Sequence, residues 1–415
     1  MRARRVVVTG LGCVTPVGND VPATWEGLTA GKSGGGPITH FDHSGCKTHF
    51  ACEVKGFDPA LYMDRKEIKR SDRYTQFAIA ASTQAMKDAG FADGTGYDPD
   101  NTGVIIGAGI GGIDTFETQM KVCFEQGPHR ISPFFVPMYI ADIAAGVVSM
   151  RFNLKGPNYA TVSACSTSGH SIGEAFRTIM YGDADVMIAG GSEAAITIMS
   201  VGGFGNMTAL STNNENPATA SRPFDISRDG FVLGEGAGIV VLEELEHAKA
   251  RGAKIYAEVA GYGATGDAYH LTGQPEGHTG LQRAMRRALK DAGLAPEDIQ
   301  YVNAHGTSTP LNDVNEIRAI KAVFGNHAQS LNISSTKSAT GHTLGAAGGI
   351  EFVATTLAMV NGMVPPTINL HTQDPECDLN CTPNTAVKRD ITAAISNSAG
   401  FGGHNVCIAV KRFAA

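Results

Sequence analysis

Three things are scarce in this sequence. There is no excess of positive charge: 33 basic against 40 acidic residues give a formal net charge of −7. That argues against general nucleic-acid affinity and makes any basic patch a local matter. There is no apolar run that approaches a membrane span, and the basic start MRARR leads into only three valines before a turn, too few for a signal-peptide core. There is no dense, regular cysteine framework either. Eight cysteines in 415 residues suit free thiols in a reducing cytoplasm. With 42% hydrophobic and 18% charged residues, the composition is that of a globular chain with a sizeable core and argues against disorder or coiled coil. Glycine, by contrast, is abundant. The 51 glycines cluster at apparent strand ends and fit an α/β protein whose loops pass close to a ligand.

One cysteine stands out by its setting. The stretch from Tyr159 to Ala164 reads as a short buried strand and that from Ser168 to Tyr181 as a helix, so Cys165 falls at a strand-to-helix junction. Its small neighbours Ala164, Ser166, Ser168 and Gly169 permit a sharp turn, and a helix N-terminus offers free N–H groups and positive potential. Both favour a thiolate and a developing oxyanion. A buried, inert thiol is the commoner fate of cysteine, and on this stretch alone both readings stand.

Internal repetition breaks the tie. SACSTSGHSIG (163–173) matches STKSATGHTLG (335–345), and AMKDAGF (85–91) matches ALKDAGL (288–294). The chain reads as a duplicated α/β unit, residues 1–254 and 255–415, in which Cys165 superposes on Lys337 and His170 on His342. One half then supplies a nucleophile where the other supplies a cation, which points to one site between the halves.

Other motifs are weighed in the same way. His40, His43, Cys46, His49 and Cys52 recur at intervals of three, but Gly45 breaks any helix and no paired cluster follows at zinc-finger spacing. A solvated loop is the favoured reading and a metal site the other. RKEIKRSDR (65–73) carries five basic residues into a long helix through Asp88; most such runs are solvated helix faces, yet in an acidic protein Lys66, Lys69 and Arg70 are candidates for docking an acidic partner, with Arg130 a further contributor. GAGIGG (107–112) has dinucleotide spacing, but it does not open the first βα unit and no acidic residue follows at the distance a ribose requires. Residues 116–137 look like an insertion confined to one half, and residues 204–230 like a polar loop. His305 ends the strand before a glycine-containing loop, where open α/β sheets place ligand-facing groups, with Thr307 and Thr309 beside it.

With VVVTGLG, SACSTSGH, RPFDISRDGFVLGEGAG, YVNAHGTSTPLND, SSTKSATGHTLGAAGGIE and SNSAGFGGHN in order, the chain resembles the β-ketoacyl-acyl carrier protein synthases of the type II kind, essentially end to end. The resemblance implies a thiolase-like αβαβα layered fold built from two duplicated halves, a homodimer, and elongation of fatty acids by decarboxylative Claisen condensation. Cys165 would carry the acyl chain, with the N–H groups of Cys165 and Phe401 as oxyanion hole. His305 and His342 would stabilise the malonyl-derived enolate. Lys337 would fix local charge and the orientation of His342, with Glu351 behind it. Thr307 and Thr309 would hold a phosphopantetheine arm that arrives on the acyl carrier protein, so that no cofactor and no metal is implied. Phe401 would gate the acyl pocket, and Ile110 would form its floor. Two positions depart from the family: Ala399 where Phe is common and His404 where Thr is common, which touches chain length and gating. A degradative thiolase would need a second cysteine in another context than that of Cys407. Chalcone-synthase-like enzymes place Asn where this chain has His342, and a non-catalytic partner subunit would lack Cys165. A polyketide or aryl-polyene ketosynthase with the same chemistry is the alternative.

Overall fold

Runs of β-branched and small apolar residues, buried on both faces, build the centre of the molecule. The computed structural model describes residues 4–91 and 94–414, so the first three residues of the basic start lie outside the described residues. The strands of the first half are β1 (Val6–Val14), β2 (Thr102–Gly107), β3 (Asn158–Tyr159), β4 (Val186–Glu193) and β5 (Gly236–Glu244). Those of the second are β6 (Ala257–Gly266), β7 (Tyr301–Asn303), β8 (Asn332–Ser334), β9 (Ala393–Gly400) and β10 (His404–Lys411). They form one ten-stranded sheet in the order β8-β7-β9-β10-β6-β1-β5-β4-β2-β3. The order reads as one five-strand pattern and its repeat, joined where Val6–Val8 pair antiparallel with Ala257–Val259. Within each half the outer three strands are parallel and the inner pairs antiparallel.

Among the longer helices of the described residues are α1 (Arg73–Asp88), α2 (Ile113–Gln126), α3 (Ile143–Phe152), α4 (Thr167–Tyr181), α5 (Ile198–Asn206), α6 (Thr279–Ala292), α7 (Pro310–Phe324) and α8 (Ala347–Asn361). Helix α6 shows why they form. Leu281, Ala284, Met285, Ala288 and Leu289 are buried at helical spacing, Arg283, Arg286 and Arg287 lie on the other side, and Gly293 closes the helix at φ 64°. Helices α1 and α3 cover the outer face of the first half, and α6 and α7 that of the second. Helices α4 and α8 lie between the halves, touching each other and strands from both. The layers are therefore αβαβα.

The central helices correct the register of the internal repeat. Each is 15 residues long and each follows a single 3₁₀ turn, Ala164–Ser166 before α4 and Leu344–Ala346 before α8. Both turns open on a non-glycine residue in the left-handed region, Ala164 at φ 51° and Leu344 at φ 46°. Cys165 is thus equivalent to Gly345, not to Lys337, which lies on the short helix Lys337–Thr340. The likeness of the two sequence segments is one of small residues, not of fold position.

Four further expectations change. The buried strand from Tyr159 to Ala164 shrinks to β3, at the sheet edge, with Tyr159 and Val162 exposed; an edge strand has only one partner to hold it. The basic run is no continuous helix: Arg65–Ile68 makes one turn with an Asp64/Glu67 capping box, and Asp72 caps α1 afresh. Helix α5 occupies the start of the stretch read as loop. Finally, residues Leu344–Asn361 are long and apolar enough to cross a membrane, but 89% of that window is buried because it is the central-layer helix.

Close approach between layers explains part of the glycine content. A Cβ on Gly238 of β5 would stand 2.2 Å from the Ile350 backbone nitrogen, and one on Gly173 of α4 would stand 2.2 Å from the Tyr262 ring. Gly238→Ala should therefore cost about 3 kcal/mol of stability, the upper range for overpacking. Gly45→Ala, with nothing within 4 Å of the added carbon, should cost almost nothing. Denaturant midpoints for the two variants that coincide would refute this account of the packing.

Candidate active site

The 3₁₀ turn before α4 carries Cys165 to the wall of a cavity of about 760 Å³. The same cavity is lined by His305, two residues beyond β7, and by His342, two residues before the Leu344–Ala346 turn that leads into α8. Their rings meet edge to face with centroids 5.4 Å apart. The backbone of His305 and Gly306 is pinned by the Glu316 carboxylate, which accepts from both N–H groups at 2.9 and 2.8 Å. His342 is held by its own N–H, which donates to Val232 O at 2.7 Å, and by the Phe231 ring, 5.3 Å away.

Thr307 and Thr309 line the same cavity with hydroxyls 2.8 Å apart, and so do Ile110, Ala399 and Phe401. Phe401 sits at the tip of the β9–β10 hairpin, whose turn is Phe401-Gly402-Gly403; both glycines have positive φ, 84° and 75°, a conformation that costs glycine little. Gly400 must also be glycine, because a Cβ there would meet Ser163 O at 2.6 Å. His404, the other family departure, is exposed and pairs with Gly400 at the hairpin's base.

Two of the anticipated residues lie behind the wall. Lys337 and Glu351 are 1% exposed and form an ion pair with each other. Lys337 Nζ also lies 3.4 Å from His305 Nδ1. The lysine thus orients His305, which corrects the expected link to His342, and Glu351 is a partner of the lysine, not a contact of the cavity. With Nζ as donor to Nδ1, the His305 ring keeps its proton on Nε2.

Burial governs the electrostatics. It pushes the Cys165 thiol up to about 12, against the Lys337 charge and the N–H groups of Phe401 and Cys165, all of which favour the thiolate. The N–H groups expected to favour a thiolate are in place, but burial outweighs them by removing the water that would solvate the charge. Burial, then the charge on Lys337, holds both His305 and His342 well below the usual imidazole range, so both rings are neutral at neutral pH. Burial likewise raises Glu351 to about 7, against the stabilising pull of Lys337.

The remaining motifs resolve differently. Lys66, Lys69, Arg70 and Arg130 are all exposed. Arg70 stacks on Phe134 of the insertion at 4.3 Å, and Arg73 is spent on Glu235. The His/Cys run holds His43 and His49 in ring contact at 5.0 Å with His49 against Cys46 O, while Cys52 is buried apart. Among the described residues no three His, Cys, Asp or Glu side chains gather as a metal site would require. The GAGIGG loop wraps a carboxylate of the protein itself, Glu193. Glu193 and Glu316 escaped sequence reading; the available signal was a glutamate inside an otherwise apolar or strand-end context.

Comparison with known proteins gives a consistent result. Residues 3–248 match the family model for the beta-ketoacyl synthase N-terminal domain and residues 256–371 that for the C-terminal domain. The 3-oxoacyl-[acyl-carrier-protein] synthase 2 of Staphylococcus aureus (strain N315) is 54% identical, with 99% of each chain covered. That of Synechocystis sp. (strain ATCC 27184 / PCC 6803 / Kazusa) is 52% identical over 100% of this chain and 99% of its own. Among solved structures, a type II PKS ketosynthase bound to a hexaketide, in complex with its acyl-carrier protein, superposes with a TM-score of 0.92 at 37% identity, covering 99% of this chain and 100% of that one.

The raised thiol has a direct consequence. Alkylation of Cys165 by iodoacetamide should accelerate about tenfold per pH unit from pH 7 to 9, because the thiolate fraction is still small there. Lys337→Met removes a charge that favours the thiolate and should slow alkylation further. A rate that levels off below pH 8 would mean that a thiolate is already present at rest.

Proposed function

The chain belongs to the beta-ketoacyl synthase family, and we propose that its chemistry is divided between the two halves, with Cys165 as nucleophile and His305 and His342 as enolate-stabilising pair. The enzyme elongates fatty acids by joining an acyl chain to a malonyl unit on an acyl carrier protein, forming a carbon–carbon bond with loss of carbon dioxide. The observation that carries the assignment of roles is the convergence of one cysteine and two neutral, mutually packed imidazoles on one cavity.

The steps follow from the groups present. The Cys165 sulfur attacks the acyl thioester; its proton leaves with the carrier's thiol, and the oxyanion is received by the N–H groups of Cys165 and Phe401. Malonyl-carrier protein then enters along Thr307 and Thr309, whose hydroxyls suit the amides of a phosphopantetheine arm. Its carbon–carboxylate bond breaks, and the electron pair becomes an enolate whose oxygen faces the imidazole N–H groups. The enolate carbon attacks the acyl group on Cys165, and the sulfur leaves as thiolate and takes up one proton from solvent, the carboxylate having left as carbon dioxide. Neutral imidazoles suit the task, since they donate hydrogen bonds that strengthen as charge develops on oxygen. Lys337 and Glu351 act as positioning residues through His305.

Three further assignments belong to the same reading. The carrier protein docks on Lys66, Lys69, Arg70 and Arg130, exposed basic groups linked by the Arg70–Phe134 stack, in a chain of net negative charge. A second copy pairs along the open edge at β3, where Tyr159 and Val162 are exposed and Phe124 of the insertion is 80% exposed. The compartment is the cytoplasm, in keeping with eight free cysteines. A polyketide-type ketosynthase is the weaker reading, because the relatives named as 3-oxoacyl synthases share more of the sequence.

His305→Ala and His342→Ala should each retain acylation of Cys165 yet lose malonyl decarboxylation by roughly two to three powers of ten, the usual effect of removing an oxyanion donor. Decarboxylation near the parent rate in both would overturn the enolate role. Ile110→Phe should shorten the accepted primer. Filling the space of two methylenes, each worth about 0.8 kcal/mol, reduces acylation by long primers about tenfold; an unchanged primer profile would remove Ile110 from the acyl pocket.

A further inference from the structure

The segment GGSEAA (190–195) at the end of β4 finds no use in the condensation chemistry, yet its glutamate, Glu193, the last residue of the strand, is fully buried at the junction of the two halves. Glu193 Oε2 accepts from the N–H of Gly109 at 2.7 Å and from that of Gly345 at 3.0 Å. Its Oε1 accepts from Ile110 at 3.2 Å and Gly111 at 3.4 Å. Among the described residues no salt bridge reaches it. Burial raises its carboxyl to about 7 while these four N–H groups pull the other way. A buried carboxylate without a cation is expensive, and this one is offset only by backbone donors from two loops of different halves.

Those two loops adjoin in the wall of the cavity. Gly109, Ile110, Cys165 and Leu344 all line it, and the loops touch so closely that a Cβ on Gly345 would stand 2.2 Å from the Gly109 nitrogen and 2.7 Å from Glu193 Oε2. The carboxylate therefore decides where the Ile110 backbone stands relative to the turn that precedes α8. We propose that Glu193 is a positioning residue that sets how long an acyl chain the enzyme accepts, by tying the Ile110 wall to the Leu344–Gly345 turn. The inference rests on the reading of Ile110 as a border of the acyl pocket.

Glu193→Gln isolates the effect. The amide has the same shape but only one acceptor oxygen, and its NH₂ cannot receive an N–H. The oxygen will stay with the shorter pair, Gly109 and Gly345, and the NH₂ will face Ile110 and Gly111, which lose their acceptor. The Ile110 floor is then free to recede. In the holoenzyme, the ratio of kcat/KM for a long acyl-carrier protein primer to that for a short one should rise about tenfold, the increment that room for two methylenes is worth, while malonyl decarboxylation is unchanged. Ile110→Ala should raise the same ratio, and adding Glu193→Gln to it should change nothing more, because the side chain through which Glu193 acts is gone. Where Glu193→Gln does not accumulate as folded protein, Glu193→Asp, which keeps the charge and retracts the carboxylate by one methylene, should give the same shift. A primer profile that overlays the parent, a parallel fall for all primers, or full additivity with Ile110→Ala would overturn the proposal. An unchanged profile in Ile110→Phe would instead remove the reading beneath it, so the two failures are distinguishable.

Discussion

The distance between two helices sets everything else in this molecule. Helices α4 and α8 fill the central layer, and the Ser168 hydroxyl at the start of one accepts from the Gly349 N–H of the other at 2.8 Å. Such an approach needs glycine where backbones meet, as at Gly348, where a Cβ would stand 3.0 Å from the Gly169 nitrogen. Because the helices are related by the internal repeat, their N-terminal turns converge, and the cavity lies where they do. Sites at such junctions inherit rigidity from packing: a side chain in a 3₁₀ turn fixed at both ends has little freedom left. Ala164, held at a φ that costs a non-glycine residue of order 1 kcal/mol or more, shows that the fold tolerates strain to aim Cys165.

The same closure decides the charges. Two histidines, a thiol and a carboxylate are taken out of water beside one buried lysine, and for His305, His342, Cys165 and Glu351 the first effect of burial is to disfavour the charged form. What distinguishes them is the neighbour. Lys337 has Glu351, so its charge is compensated and can act on the groups around it, favouring the thiolate of Cys165 and disfavouring the imidazolium of His305 and His342. A single buried cation therefore serves two opposite needs: a sulfur able to lose its proton during reaction, and imidazoles that stay neutral. Breaking that pair would leave an uncompensated buried charge, among the costlier changes a protein core can suffer.

Much of this was legible in the sequence, and the limits are physical. The duplicated α/β plan and the site triplet of Cys165, His305 and His342 follow from internal repetition, from strand-end placement and from family likeness. The repeat was visible but its register was not, because small residues at turns resemble one another whatever their place in the fold; only the matching 3₁₀ turns and central helices put Cys165 against Gly345. The edge position of β3 depends on which strands lie beside it, which no local pattern encodes. The partners of buried glutamates were invisible for a related reason. Glu193 and Glu316 bind backbone N–H groups from distant loops, and a backbone donor has no signature in a sequence.

The hairpin that carries Phe401 shows how small a free-energy difference such a frame leaves for function. Its three-residue turn is held to the neighbouring loop by two hydrogen bonds, from Gly402 N–H to Leu271 O at 2.7 Å and from Asp267 N–H to Gly403 O at 2.9 Å. At about 1 kcal/mol net for each, swinging the proposed gate aside would cost about 2 kcal/mol, and Ala399 adds no aromatic ring to resist it. An entering acyl chain gains about 0.8 kcal/mol for each methylene it buries. Three or four methylenes are then enough to hold the gate open, whereas a two-carbon primer is not. In the proposed gating role of Phe401, two weak hydrogen bonds are set against a few buried methylenes, which bears on the shortest chain that holds the gate, whereas the Ile110 wall bears on the longest.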